Sequence, residues 1–155
     1  MEKFKAFKIT EVDKKVQAGF TEFTLDQLDP GEVVVRVAYS DVNYKDALAA
    51  TGKGRILLRP ECIGGIDFSG TVVSSSDSRF AKGDAVLATG FDIGVKHHGG
   101  YAEYARLPAD WLVKVPKGLT LWDAMAFGTA GFTAGLAIVR MERSPSFSSA
   151  LSTSR

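Results

Sequence analysis

The sequence has a single cysteine, Cys62. No disulfide can form within the chain, and such sparing use of cysteine fits a reducing compartment. It also lacks an excess of either charge: 19 Lys and Arg stand against 18 Asp and Glu, scattered along the length. That leaves no basic stripe for nucleic acid or for an anionic membrane surface. No apolar run approaches the roughly 20 residues needed to span a bilayer. The opening "MEKFKAFKIT" alternates charged and apolar residues, without the hydrophobic centre of a signal peptide. These absences predict a cytoplasmic globular protein with no nucleic-acid or membrane partner, long enough at 155 residues to bury a real core.

What is present reads mainly as short strands. Residues 4–9, 32–39, 65–74, 84–90, 100–107 and 111–115 are rich in Val, Ile, Phe and Tyr and are bounded by turn chemistry. Pro30 and Gly31 in "LDPGEV" suit the two corners of a turn, with Gly31 free to take positive φ, and Gly83 repeats that logic. Short strands with glycine corners predict a closed or nearly closed barrel. Two stretches have helical spacing instead. Residues 43–52 carry Asn43 as a candidate N-cap and Gly52 as the stop, with Tyr44, Ala47 and Leu48 on one face. Residues 120–127 open with Thr120 and Asp123 in capping-box spacing. After a break near Gly128, residues 129–143 resume as a helix apolar on nearly every side, which is expected to be buried or to await a partner that buries it. The last twelve residues, six of them serine, have no period and are expected to be disordered.

The three glycines of "AMAFGTAGFTAGLAI" raise the question of a phosphate-binding loop. Such a loop needs G-x-G-x-x-G directly after a strand. Here the spacing is G-x-x-G-x-x-x-G and the preceding segment is a capped helix, so close helix packing accounts for these glycines better.

The segments "VNYKDALAATGKG", "GIDFSGTV", "GGYAEYARLPADWLVKVP" and "AMAFGTAGFTA", in that order, resemble the zinc-free quinone oxidoreductase-like branch of the medium-chain dehydrogenases/reductases, close to its NADPH-dependent acrylyl-CoA reductase group. The resemblance implies a mainly β, GroES-like barrel over residues 1–119 and helices over 120–142 that lead into a Rossmann domain. It stops near Glu142. No dinucleotide fingerprint follows, so residues 143–155 are read as a non-family tail and the chain as the truncated N-terminal part of an oxidoreductase. In the longer relatives it implies NADPH as cofactor, a small-molecule acceptor (an α,β-unsaturated thioester or a quinone) and a possible homodimer. The alternative is a non-catalytic barrel fragment or interaction module.

The resemblance also assigns residues. Zinc-dependent relatives place a Cys and a His-Glu pair where this chain has Asn43, Ile66 and Asp67, and an amide and a branched alkyl side chain do not replace a thiolate and an imidazole. No metal site is therefore expected. Tyr44 is implied to lie beside the nicotinamide, as a catalytic and cofactor-binding residue; on its residue type alone it is a half-buried amphipathic tyrosine. Asn43 is implied to contact cofactor or substrate, and is equally a helix cap. Thr129 is implied to contact the nicotinamide, or again to cap a helix. Asp67, on an apolar strand, needs partners, and a structural ion pair to Lys45 or Arg55 is the expected one. His97 and His98 are adjacent, so on an extended strand their rings would diverge. Cys62 follows Glu61, whose charge disfavours a thiolate. Gly64 replaces a proline usual in the family and is expected to loosen its turn.

Overall fold

A computed structural model describes residues 3–13 and 15–144. Eight strands pair antiparallel throughout, in two sheets: β1 (Phe4–Val12), β2 (Lys15–Phe23), β3 (Val33–Tyr39), β4 (Glu61–Ile63), β5 (Asp67–Ser75), β6 (Ala85–Thr89), β7 (Tyr104–Leu107) and β8 (Val113–Lys114). One sheet runs β2-β1-β4 and the other β7-β3-β5-β6-β8. An Ala6–Ala102 bridge and the Phe7 N–H donated to Tyr101 O join the two, so loop backbone completes the barrel where no continuous ladder does.

The alternation of Val33, Val35 on β3 with Phe68, Val72 on β5 and Val86, Ala88 on β6 turns one face of the larger sheet inward. With Leu107 and Leu112 these residues form the main core. Phe4, Phe23, Leu28 and Ile63 make a second cluster under the smaller sheet, and Ile9, Ala49, Leu57 and Cys62 a third.

Several expectations change here. The predicted strand 100–107 is regular only from Tyr104, because Gly99, Gly100 and Tyr101 pack as irregular backbone against Gly64 and Gly65. Residues 109–111 form a single 3-10 turn that shortens the 111–115 strand to two residues. Gly31 does not take positive φ; its Cα lies against the Leu107 backbone, where any Cβ would collide. Gly83 does take it, at φ 96°. Gly64 is not loose: a Cβ there would sit 3.0 Å from Ile9 and 3.1 Å from Tyr101, and its N–H donates to Phe7 O.

Helix α1 (Tyr44–Thr51) begins at Asn43 and ends at Gly52, whose φ of 67° gives the left-handed stop. Its buried residues are Asp46 and Ala49, whereas Tyr44 and Ala47 of the predicted apolar face are exposed. Helix α2 (Leu121–Glu142) starts in the expected Thr120–Asp123 capping box. It breaks at Gly128, where φ 48° and ψ −157° leave the helical region.

Phe132, Leu136, Ile138 and Met141 in the second part of α2 are exposed, the case of an apolar helix left uncovered within the chain. The helix is also long and apolar enough, by length and composition, to cross a membrane. Its Ala, Phe, Leu, Ile and Val residues carry that apolar character, and the Gly and Thr residues between them break up the run and hide it in the sequence. The break divides it, and the longer straight piece, about 21 Å at 1.5 Å per residue, is shorter than a hydrocarbon layer of about 30 Å. The serine-rich stretch from residue 145 onward lies outside the described residues.

Candidate functional site

Three chain segments meet at one end of the larger sheet: the loop from β3 to α1, the start of β5, and the break in α2. The first turn of α1 sets the loop. Asn43 and Asp46 form the capping box, with the Asn43 N–H donating to Asp46 Oδ2 at 2.9 Å. Asp46 Oδ1 accepts the Ile66 N–H at 3.1 Å, which ties the helix to the approach to β5. Burial raises the Asp46 carboxyl above its ordinary range, although the two backbone N–H groups oppose that shift.

Asp67 is fully buried at the head of β5. Its carboxylate accepts Asn43 Nδ2 at 2.8 Å and the Thr129 N–H at 2.5 Å. The ion pair expected with Lys45 or Arg55 is not what satisfies it: an amide and a helix N-terminus do. The other hydrogen of Asn43 Nδ2 goes to Asp41 Oδ1, also at 2.8 Å. Asp41 Oδ2 lies so close to Gly128 that a Cβ there would collide with it, which is one reason for glycine at the break. Burial, followed by the charge of Asp67, pushes the Asp41 carboxyl up to about 6. The Tyr101 hydroxyl donates to Asp41 O at 2.9 Å and closes the loop from the other side.

The predicted residues thus fall together. Asn43 and Thr129, far apart in sequence, share the Asp67 carboxylate. Tyr44 adjoins Asn43 at the start of α1 and is 80% exposed, so its phenol faces solvent rather than packing against the barrel. The Thr129 Oγ1 is buried without a hydrogen-bond partner. Among the described residues no three His, Cys, Asp or Glu side chains converge in metal-binding geometry. Sequence reasoning missed Asp41 and Tyr101 and read Asp46 as either solvated or structural; its two hydrogen bonds make it structural. Asn-x-x-Asp at 43–46 was the available signal for Asp46; Asp41 and Tyr101 gain meaning only from the fold.

A second polar cluster pins the smaller sheet to the barrel. Asp29 takes Arg59 Nη1 on both oxygens at 2.7 and 2.8 Å and the His98 N–H at 2.6 Å. Burial works to raise the Asp29 carboxyl, but Arg59 and His98 outweigh it and hold it below the ordinary range. His97 and His98 do not diverge; each has a ring nitrogen 3.9 Å from Asp29 Oδ2, because residues 91–100 form a looped turn instead of a strand. His98 is buried, which lowers its pKa, and its Nδ1 accepts the Ile63 N–H at 3.0 Å. The Cys62 thiol, fully buried beside them, is pushed up to about 12, by burial far more than by Glu61. In the native chain at pH 8, Cys62 is expected to react with a disulfide reagent at least about 100-fold more slowly than in denaturant; labelling at the free-thiol rate would contradict that burial.

The alcohol dehydrogenase GroES-like domain family matches residues 29–117. The putative quinone oxidoreductase YhfP of Bacillus subtilis is 45% identical over 140 residues, covering 90% of this chain and 42% of its own length. Its crystal structure with NAD bound superposes with a TM-score of 0.90, covering 94% of this chain and 44% of that one. The acrylyl-CoA reductase AcuI of Ruegeria pomeroyi is 48% identical over 132 residues, 85% of this chain and 40% of its own. The yhdH oxidoreductase of Salmonella enterica, in complex with NADP, matches with a TM-score of 0.86 at 48% identity, covering 89% of this chain and 43% of that one. The chain spans about two fifths of the length of these relatives.

Proposed function

Because the chain belongs to the alcohol dehydrogenase GroES-like domain family, we propose that it supplies the acceptor-facing wall of a pocket for reductive hydride transfer from a pyridine nucleotide. The observation that carries this reading is the shared Asp67 carboxylate, which brings Asn43 and Thr129 to one place with Tyr44 exposed beside them.

The residues fit a nicotinamide. Thr129 Oγ1 is a buried hydroxyl lacking a partner, the kind of group a bound carboxamide satisfies. The Tyr44 ring is free to offer a stacking face and its hydroxyl a donor. When bound, the nucleotide supplies the hydride. The chain's own part is to hold the acceptor and to stabilise charge. As the β-carbon of an α,β-unsaturated thioester is reduced, negative charge grows on the thioester oxygen, and the Tyr44 hydroxyl donates to that oxygen. The proton that completes the α-carbon comes from solvent. The acceptor is an acrylyl-CoA-like thioester, with a quinone as the related choice. NADPH is the proposed nucleotide, by similarity to the NADP-bound Salmonella protein, and the cytoplasm the proposed location.

Joining residues 1–142 to the remainder of the Bacillus subtilis relative tests this. The fusion is expected to oxidise NADPH with acrylyl-CoA or a quinone, and Tyr44→Phe to lower turnover by about 10- to 100-fold. A fusion that binds NADPH but reduces neither acceptor would defeat the reading. The exposed apolar side chains of α2 favour a second one, an interaction module. It expects the 155-residue chain to self-associate in light scattering without binding NADPH.

A further inference from the structure

We infer that Asp41 is a positioning residue for this pocket: together with Asp67 it takes both hydrogens of the Asn43 carboxamide, so that Asn43 meets a ligand only as a hydrogen-bond acceptor. The inference rests on the hydride-transfer reading for its purpose, but its geometry stands on this chain alone.

A primary amide has two N–H donors and one acceptor oxygen. Asn43 Nδ2 lies 2.8 Å from Asp41 Oδ1 and 2.8 Å from Asp67 Oδ1. Both donors are therefore spent. The reverse orientation would set the amide oxygen against the oxygens of two carboxyl groups, acceptor against acceptor, so the orientation is fixed by charge as well as by hydrogen bonding. A ligand group that faces Asn43 must then bring its own hydrogen: an amide N–H or a hydroxyl fits, whereas a carbonyl oxygen or a phosphate is repelled. Stabilising the developing oxyanion falls to Tyr44, because Asn43 has no hydrogen left to give.

Asp41 also touches the joint of α2, since its Oδ2 abuts the Gly128 backbone while Asp67 caps the Thr129 N–H one residue on. The groups that face the Asp41 carboxyl are Asp67 from β5, Asp46 from α1, Asn43 from its own loop and Gly128 from α2, with the Tyr101 hydroxyl on its carbonyl. Two carboxyl groups this close do not both ionise freely. Burial and the charges of Asp67 and Asp46 lift Asp41 to about 6, and the Asn43 N–H opposes them. Ionisation of Asp41 above that pH strengthens its grip on the amide, because the bond from Asn43 favours the charged carboxylate.

Nuclear magnetic resonance on the isotope-labelled 155-residue chain tests the inference with no nucleotide present. The Asn43 side-chain NH2 signals are expected to exchange slowly with solvent and to shift with a midpoint near pH 6, following the Asp41 carboxyl carbon. Asp41→Ala should speed that exchange by about tenfold or more while the backbone amides of β5 stay protected. Asp41→Asn should keep the slow exchange, because its carbonyl oxygen still accepts, yet abolish the pH-dependent shift. Unchanged exchange in a folded Asp41→Ala chain would overturn the inference. Should Asp41→Ala unfold, Asp41→Asn decides: a shift near pH 6 that persists overturns it, and one that vanishes supports it. An inactive fusion enzyme with these signals intact would count against the hydride-transfer reading and leave the role of Asp41 standing.

Discussion

Alanine in place of Asp67 is expected to lower stability by about 2–4 kcal/mol, since a buried carboxylate that satisfies several donors leaves them orphaned when removed. The donors are specific: Asn43 Nδ2 and the Thr129 N–H lose their acceptor together. In a chain of this size that is a fall in melting temperature of about 5–15 °C, read by calorimetry. Asp67→Asn should cost less, because the amide oxygen still accepts from one donor, although its NH2 then opposes the other. Hydrogen exchange locates the effect: the Thr129 amide should lose protection before the β3 and β5 amides do. A melting temperature within about 2 °C of the parent's for Asp67→Ala would show that the three segments are held together by something else.

The second large effect lies one residue on. Phe68→Ala is expected to cost about 3–5 kcal/mol, the usual penalty for deleting a fully buried aromatic ring, and Phe68 is among the largest side chains with no exposure. It packs with Val33, Val35, Val86 and Leu107 at the centre of the main core. Gly100 approaches its Cβ so closely that an added methyl would sit 2.7 Å away, so the surrounding backbone is already in contact and has little room to collapse into the cavity. Urea denaturation should show a lower midpoint at unchanged slope. Phe68→Leu, which keeps most of the volume, should cost less than about 1.5 kcal/mol. Because Asp67 and Phe68 are neighbours, the double mutant should depart from the sum of the single ones.

How much of this was legible in the sequence depends on whether the determinant is local. The Asn43 cap, the Gly52 stop, the Thr120–Asp123 box and the break at Gly128 all rest on chemistry within four residues, and each appears where its spacing puts it. Strand β2 was invisible for the opposite reason. It is held by a nine-residue ladder to β1, while most of its side chains are exposed, so no buried face marks it. The buried face of α1 was misread because a carboxylate, Asp46, points inward toward the Ile66 N–H. The partners of Asp67 come from a loop and from a helix about sixty residues later. No pattern within one segment encodes a meeting of three. For the same reason Tyr44 was singled out through resemblance, and Asp41, which carries no such resemblance, was not.

Finally, the Gly128 break makes α2 two rods meeting at a corner, and Asp67 holds that corner through its hydrogen bond from the Thr129 N–H. The outer rod acts as a lever arm of about 21 Å, so a rotation of about 10° at its root carries its far end through roughly 4 Å. The direction of that rod is set by a carboxylate that also grips Asn43, so that aim and grip are adjusted by a single group.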